Sequence, residues 1–107
     1  MFFMLALLAD MCYIVLVGEW YTYIVRCCDN TLYTGITTDL NRRLNEHNKT
    51  NRGAKYTKNR RPVDLVFWAA FLDRSQAQRE EHRIKQLSKT EKELLIIANV
   101  HTLEMAE

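Results

Sequence analysis

A chain of 107 residues, 48% hydrophobic and 26% charged, has the size and composition of one ordinary globular domain, which excludes collagen, coiled coil and intrinsic disorder. Three Gly and one Pro leave no flexible linker along which to divide it. The formal charge is only +2, but nine Lys/Arg stand against three acids between Arg26 and Arg61. That local excess of six suits a polyanionic partner such as nucleic acid, and equally a plain solvated face.

Residues 1–17 are almost entirely apolar, interrupted by Asp10. They lack the positive start of a signal peptide and barely reach the lower limit for a membrane span. A buried strand or helix, a membrane anchor, and an extension upstream of the core domain all fit. The extension, residues 1–18, is preferred because the rest reads as complete without it, with Met11 as a second candidate start. The domain is then expected over 19–99, with 100–107 as a tail.

Trp20–Arg26 is rich in aromatic and β-branched residues and predicts a strand. Asp29-Asn30 signals a turn, and 32–36 a second strand closing a hairpin. Thr37, Thr38 and Asp39 offer N-caps for a helix over 40–47, with Leu40 and Leu44 on one face. Residues 48–61 are polar and basic, contain Gly53, and are expected as a loop. An apolar run over 63–71 predicts a buried strand. A helix is expected over 75–87 with a capping box at Ser75 and Gln78. Another is expected from Thr90, burying Leu94, Leu95, Ile97 and Ala98. The fold class is α/β (α+β): order β-β-α-β-α-α, with helices packed on a mostly antiparallel three-stranded sheet.

Cys12, Cys27 and Cys28 form no CxxC pair, and neighbours on a strand point to opposite faces. His47, His82 and His101 show no zinc spacing. A reduced, cytoplasmic protein without a structural metal is expected.

Chemistry first shows on the helix over 40–47. At about 100° per residue, Arg43 and His47 fall close to the Leu40–Leu44 stripe, while Arg42 points to solvent. An inward arginine needs an anionic partner; one snorkelling past the core edge, with His47 at the helix C-terminus, is the other reading. On the next helix, periodicity from Ala77 and Ile84 turns Glu81 inward, where it is paired, protonated or bound to a cation. Glu80 points elsewhere. In the hairpin, Tyr21, Tyr23 and Val25 share a face. Tyr33 shares it only if an odd number of residues forms the turn.

The blocks Tyr21-Thr22-Tyr23, Tyr33-Thr34-Gly35, Arg43, His47 and Glu81 resemble the GIY-YIG nuclease superfamily, in particular its small stand-alone bacterial, YhbQ-like members. Gly53-Ala54-Lys55-Tyr56-Thr57 and Arg60-Arg61-Pro62-Val63 continue the likeness, which spans about residues 20–98. The first block reads Tyr-Thr-Tyr instead of Gly-Ile-Tyr, so only Tyr23 is carried over from it.

The resemblance implies a metal-dependent endonuclease acting on DNA in repair or processing, with RNA as another possible substrate and no small-molecule cofactor. It implies one divalent ion, Mg²⁺ or Mn²⁺, held by Glu81, polarising the phosphoryl oxygen. Tyr23 or Tyr33 would deprotonate the attacking water, its acidity raised by Arg43 and the metal. Arg43 would also bind phosphate, and His47 would shuttle a proton or hold a tyrosine. Arg42, Lys49, Arg52, Lys55, Lys58, Arg60 and Arg61 would grip the nucleic-acid backbone without reading sequence, with Tyr56 beside them. A nucleic-acid-binding module with weak or lost catalysis would need the same basic segment but not Glu81.

Overall fold

The computed structural model describes residues 19–106, with side chains to residue 99. The apolar start and Cys12 lie outside the described residues. The elements are β1 (Trp20–Arg26), β2 (Leu32–Thr37), α1 (Leu40–Lys49), the single turn α2 (Lys55–Lys58), β3 (Asp64–Phe71), α3 (Arg74–Lys85) and α4 (Lys89–Ala106). The expected order holds, with α2 inserted in the segment expected as a loop. The last helix runs on into the stretch expected as a tail.

The sheet is antiparallel throughout, in the order β2-β1-β3. Asp29 Oδ1 accepts from the backbone and hydroxyl of Thr31, and Asn30 takes the left-handed conformation (φ 70°) that the hairpin turn requires. Arg26 pairs with Leu32, leaving five residues in the turn. That odd number sets Val25 opposite Tyr33 and Tyr23 opposite Gly35, so Tyr23 and Tyr33 share a face.

The two faces of the sheet hold separate clusters. Tyr23, Val25, Cys27 and Val63 pack with Leu40 and Leu44 of α1 on one face. On the other, Ile24 and Phe67 pack with Ile84 of α3 and Ile96 of α4. Thr22, on that second face, donates to the Ala77 carbonyl of α3 at 2.7 Å. A bulge in the β1–β3 ladder between Ile24 and Val25 lets Phe67 serve one face and Leu65 the other. Cys27 is buried and Cys28 exposed, both as free thiols.

Two expectations about helix ends and faces are corrected. The N-cap of α3 is Asp73, not Ser75: its carboxylate accepts from the Gln76 backbone, while Gln76 Oε1 accepts from the Leu72 backbone. Helix α4 starts at Lys89 behind a reciprocal Ser88–Glu91 cap. Of the residues expected to be buried on it, Leu95 is half-buried, whereas Leu94, Ile97 and Ala98 are exposed and Ile96 is the buried one. The rotation of α4 is fixed by Glu93, which takes Arg26 in a bidentate pair, both contacts 2.7 Å. The residue three positions on, Ile96, then meets the sheet.

Candidate active site

Helix α1 is capped by Asp39, whose carboxylate accepts from the Arg42 backbone at 3.0 Å, and this cap sets which side chains meet the first sheet face. Tyr23 is 2% exposed and His47 fully buried. The Tyr23 hydroxyl lies 2.7 Å from His47 Nε2, and the Arg43 Nε–H donates to the same oxygen at 3.3 Å. On its far side His47 Nδ1 lies 2.9 Å from Thr57 Oγ1, whose hydroxyl donates to the Ala54 carbonyl at 2.9 Å. One proton arrangement satisfies this chain: Tyr23 donates to Nε2, Nδ1–H donates to Thr57, and Thr57 donates to Ala54. The Ala54 amide contact to Nδ1, at 3.4 Å, is the longest around the ring.

Two glycines make the arrangement possible. A Cβ at Gly35 would stand 2.7 Å from the Tyr23 hydroxyl, so the phenol lies over β2 only because position 35 has no side chain. A Cβ at Gly53 would stand 2.8 Å from the Glu46 carbonyl and His47 Cα. Gly53 thus lets the chain pass tightly over α1 and carry Ala54 and Thr57 to the imidazole.

Burial governs the ionisation of both groups. It pushes the Tyr23 phenol up to about 12, against the hydrogen bond and charge of Arg43, which pull it down. Arg43 acts in the expected direction, making this tyrosine more acidic, but removal from water outweighs one guanidinium. Burial, followed by the charge of Arg43, pushes His47 down to about 4, so its imidazole is neutral at physiological pH.

Arg43 finds its anionic partner on its own helix: Nη1 donates to Glu46 Oε1 at 3.0 Å and to the Arg52 carbonyl at 2.9 Å. Tyr33 sets its ring edge-on against His47, centroids 5.4 Å apart, and stacks at 5.9 Å on Tyr56. The Arg60 guanidinium lies over the Tyr56 ring at 4.1 Å.

Glu81 comes from α3, which packs on the other sheet face. Its carboxylate is half-buried and pairs with Lys85 at 3.2 Å, not with Arg43. It is near enough to Tyr23 that its charge is among those raising the phenol. Glu80, the neighbour expected at the surface, is held bidentately by Arg83 at 2.8 Å.

The basic residues divide into two sets. Arg61 donates to the His47 carbonyl at 2.6 Å and to the Thr50 carbonyl, closing the C-terminal end of α1. Arg60 is held by Asp29 at 3.1 Å and by the Tyr56 carbonyl at 2.8 Å. Arg42 is exposed and lies 3.8 Å from Glu46. Lys49, Arg52, Lys55 and Lys58 are exposed, and no ion pair holds them among the described residues. Thr57 and Glu46 were missed in the sequence; only the close Gly53-Ala54 approach and the i, i+3 spacing from Arg43 could have pointed to them.

A family model described as the GIY-YIG catalytic domain matches residues 19–94. The chain belongs to the GIY-YIG nuclease superfamily. Within it the similarity is to UPF0213, YhbQ-like proteins. One from Desulfotalea psychrophila is 54% identical over 80 residues, 75% of this chain and 73% of the relative. The UPF0213 protein YhbQ of Salmonella arizonae is 51% identical over 77 residues, 72% and 76% of the two chains. A solution NMR structure of an E. faecalis protein matches at 38% identity and a TM-score of 0.50, covering 75% of this chain and 85% of that one.

GIY-YIG nucleases generally use divalent metals, and the donor set here fits such an ion in one way only. Among the described residues no three His, Cys, Asp or Glu side chains gather as a cage. Mg²⁺ commonly uses one carboxylate, several waters and substrate phosphates, and Glu81 is a half-buried carboxylate whose charge reaches Tyr23. None of the helices in the described residues is long and apolar enough to cross a membrane.

Proposed function

We propose that this protein is a metal-dependent endonuclease that hydrolyses DNA phosphodiester bonds, guided by the structure of the DNA more than by its sequence, in DNA repair or processing. The observation carrying this reading is the meeting of Tyr23, His47 and Arg43 on one sheet face within the field of Glu81. A reduced, cytoplasmic setting accords with the two free thiols.

Arg43 suits a phosphate oxygen, since its Nη1 and Nε are already fixed and the guanidinium cannot swing away. Of the two phenols, Tyr23 is better equipped to pass a proton on, because it already donates to a neutral imidazole. As water attacks phosphorus, its proton moves to the Tyr23 oxygen while the phenolic proton moves to His47 Nε2. The unassisted transfer is uphill, given a phenol near 12 beside an imidazole near 4. The attacking oxygen must therefore lose its proton as the bond to phosphorus forms, not before. Tyr33 walls the imidazole with its ring. Glu81 would hold the ion, whose chemistry is to polarise the phosphoryl oxygen and offset charge in the in-line displacement. Lys49, Arg52, Lys55 and Lys58 would bind the backbone.

The test is a cleavage assay with Mg²⁺ or Mn²⁺ on single-stranded, duplex, flap and mismatched DNAs, and matching RNAs, beside Glu81→Gln. Cleavage of particular DNA structures that disappears in the variant supports the reading. Binding without cleavage in the wild-type protein would make it a nucleic-acid-binding module instead.

A further inference from the structure

A cavity of about 370 Å³ opens at the N-terminal end of α1, on the sheet face that holds Tyr23. Its size is within the range of small-ligand sites. Its lining is mixed: Tyr21 and Trp68 meet edge to face, centroids 6.0 Å apart at 74°, with Leu40 and Leu65 as its aliphatic part. Thr38, Asp39 and Asn41 supply the polar part.

The cavity lies beside the candidate active site along β1 and α1. Trp68 is the cross-strand partner of Tyr23. Tyr21 precedes Tyr23 by two residues on the same face of β1, roughly 7 Å along the strand. Arg43 lies one turn beyond Asp39 on α1. The row of functional groups thus runs from this cavity, through Arg43, Tyr23 and His47, to the exposed cations Arg52, Lys55 and Lys58 at the other end.

The chemistry of the two ends differs. The basic end suits phosphates. The cavity does not, because the acidic Asp39 lines it and its carboxylate already occupies the Arg42 backbone amide at the helix start. A flat, uncharged ligand with hydrogen-bond donors on its edge fits instead: rings stack on Tyr21 or Trp68, and amino groups donate to Asp39 or Asn41.

We infer that this cavity receives an unpaired nucleobase next to the phosphate bound at the active site, favouring bases with an exocyclic amino group. The inference rests on the nuclease reading and extends it, naming the substrate class as DNA with an extrahelical or single-stranded nucleotide beside the cut.

The test uses the full chain without divalent metal, so that no cleavage occurs. Its probes are a duplex with one unpaired cytosine, the same duplex with an abasic residue in its place, and one with thymine. The wild-type protein should bind the cytosine duplex about ten- to a hundredfold more tightly than the abasic one, with thymine between. Tyr21→Leu should remove most of that preference. Asn41→Ala, at an exposed position clear of the core, should narrow the cytosine–thymine gap, and both variants should leave affinity for the abasic duplex unchanged. Equal affinity for cytosine and abasic duplexes, or a preference that survives both substitutions, overturns this inference alone. No binding to any of the three overturns the nucleic-acid reading with it.

Discussion

The two faces of the sheet are built from the same strands and have opposite characters. Alternate residues of β1 alone divide them: Tyr21, Tyr23 and Val25 look toward α1, whereas Thr22, Ile24 and Arg26 look toward α3 and α4. The second face is closed by Ile24, Phe67, Ile84 and Ile96, and its polar groups are tied off in pairs, Thr22 with Ala77 and Arg26 with Glu93. The first face buries a phenol, an imidazole and a hydroxyl in a single hydrogen-bonded chain beside a guanidinium. One face therefore supplies stability, and the other spends buried volume on groups that could pass a proton. Glu81 is the exception, a carboxylate from the packing side whose charge reaches Tyr23.

This contrast predicts that substitutions separate cleanly by face. The largest effect is expected at Glu81. Glu81→Gln should lower cleavage by about a thousandfold, some 4 kcal/mol, while urea denaturation shifts by less than about 1 kcal/mol, because the partly exposed pair with Lys85 contributes little. A stability loss as large as the activity loss would make Glu81 a packing residue.

Ile84→Ala, on the other face, should behave in the opposite way. A cavity among Ile24, Phe67 and Ile96 costs about 2–5 kcal/mol, seen as a lower denaturation midpoint. Cleavage per folded molecule, measured well below the transition, should stay unchanged. A loss of turnover without loss of stability would blur the division between faces.

The buried imidazole gives the first face its own pH dependence. His47 titrates near 4 in the folded chain and near its ordinary 6.5 when unfolded. Between those values the unfolded chain binds more protons. Stability from this group is thus complete above about pH 6.5, is lost as pH falls toward 4, and does not fall further below that, about 3 kcal/mol in all. Denaturation measured from pH 7 to 4 should show this slope in the wild-type chain and a shallower one in His47→Gln. Identical slopes would place the titration elsewhere.

A smaller effect is expected from the exposed cations. Replacing Lys49, Arg52, Lys55 and Lys58 together by Gln should reduce the salt dependence of DNA binding by roughly three to four counterions and leave the melting temperature unchanged. An unaltered slope would mean that the backbone is gripped elsewhere.

Much of the sheet and its helices could be read from the sequence because strand and helix patterns agree with burial. The aromatic and β-branched run of β1 and the Ala77–Ile84 spacing of α3 are examples. Reading stopped where two patterns coincide. Leu94, Leu95, Ile96 and Ile97 are consecutive, so periodicity cannot choose the inward one, and the choice falls to the distant Arg26–Glu93 pair. The shared face of Tyr23 and Tyr33 follows once the hairpin turn is counted, which the sequence alone left open. Thr57 carried no signal because its role depends on how tightly Gly53 passes over α1. The pull of Arg43 on Tyr23 was legible, but the larger opposing effect of burial was not, because charge partners are visible in a sequence and depth of burial is not.

The central claim is that the buried Tyr23–His47 pair and the carboxylate of α3 act as one centre. Single-turnover cleavage by Tyr23→Phe, Glu81→Gln and the double variant tests it most directly, since groups acting as a unit are strongly non-additive. The double variant should be no slower than the slower single variant. Losses that simply multiply, or a single variant that cuts at the wild-type rate, would contradict it.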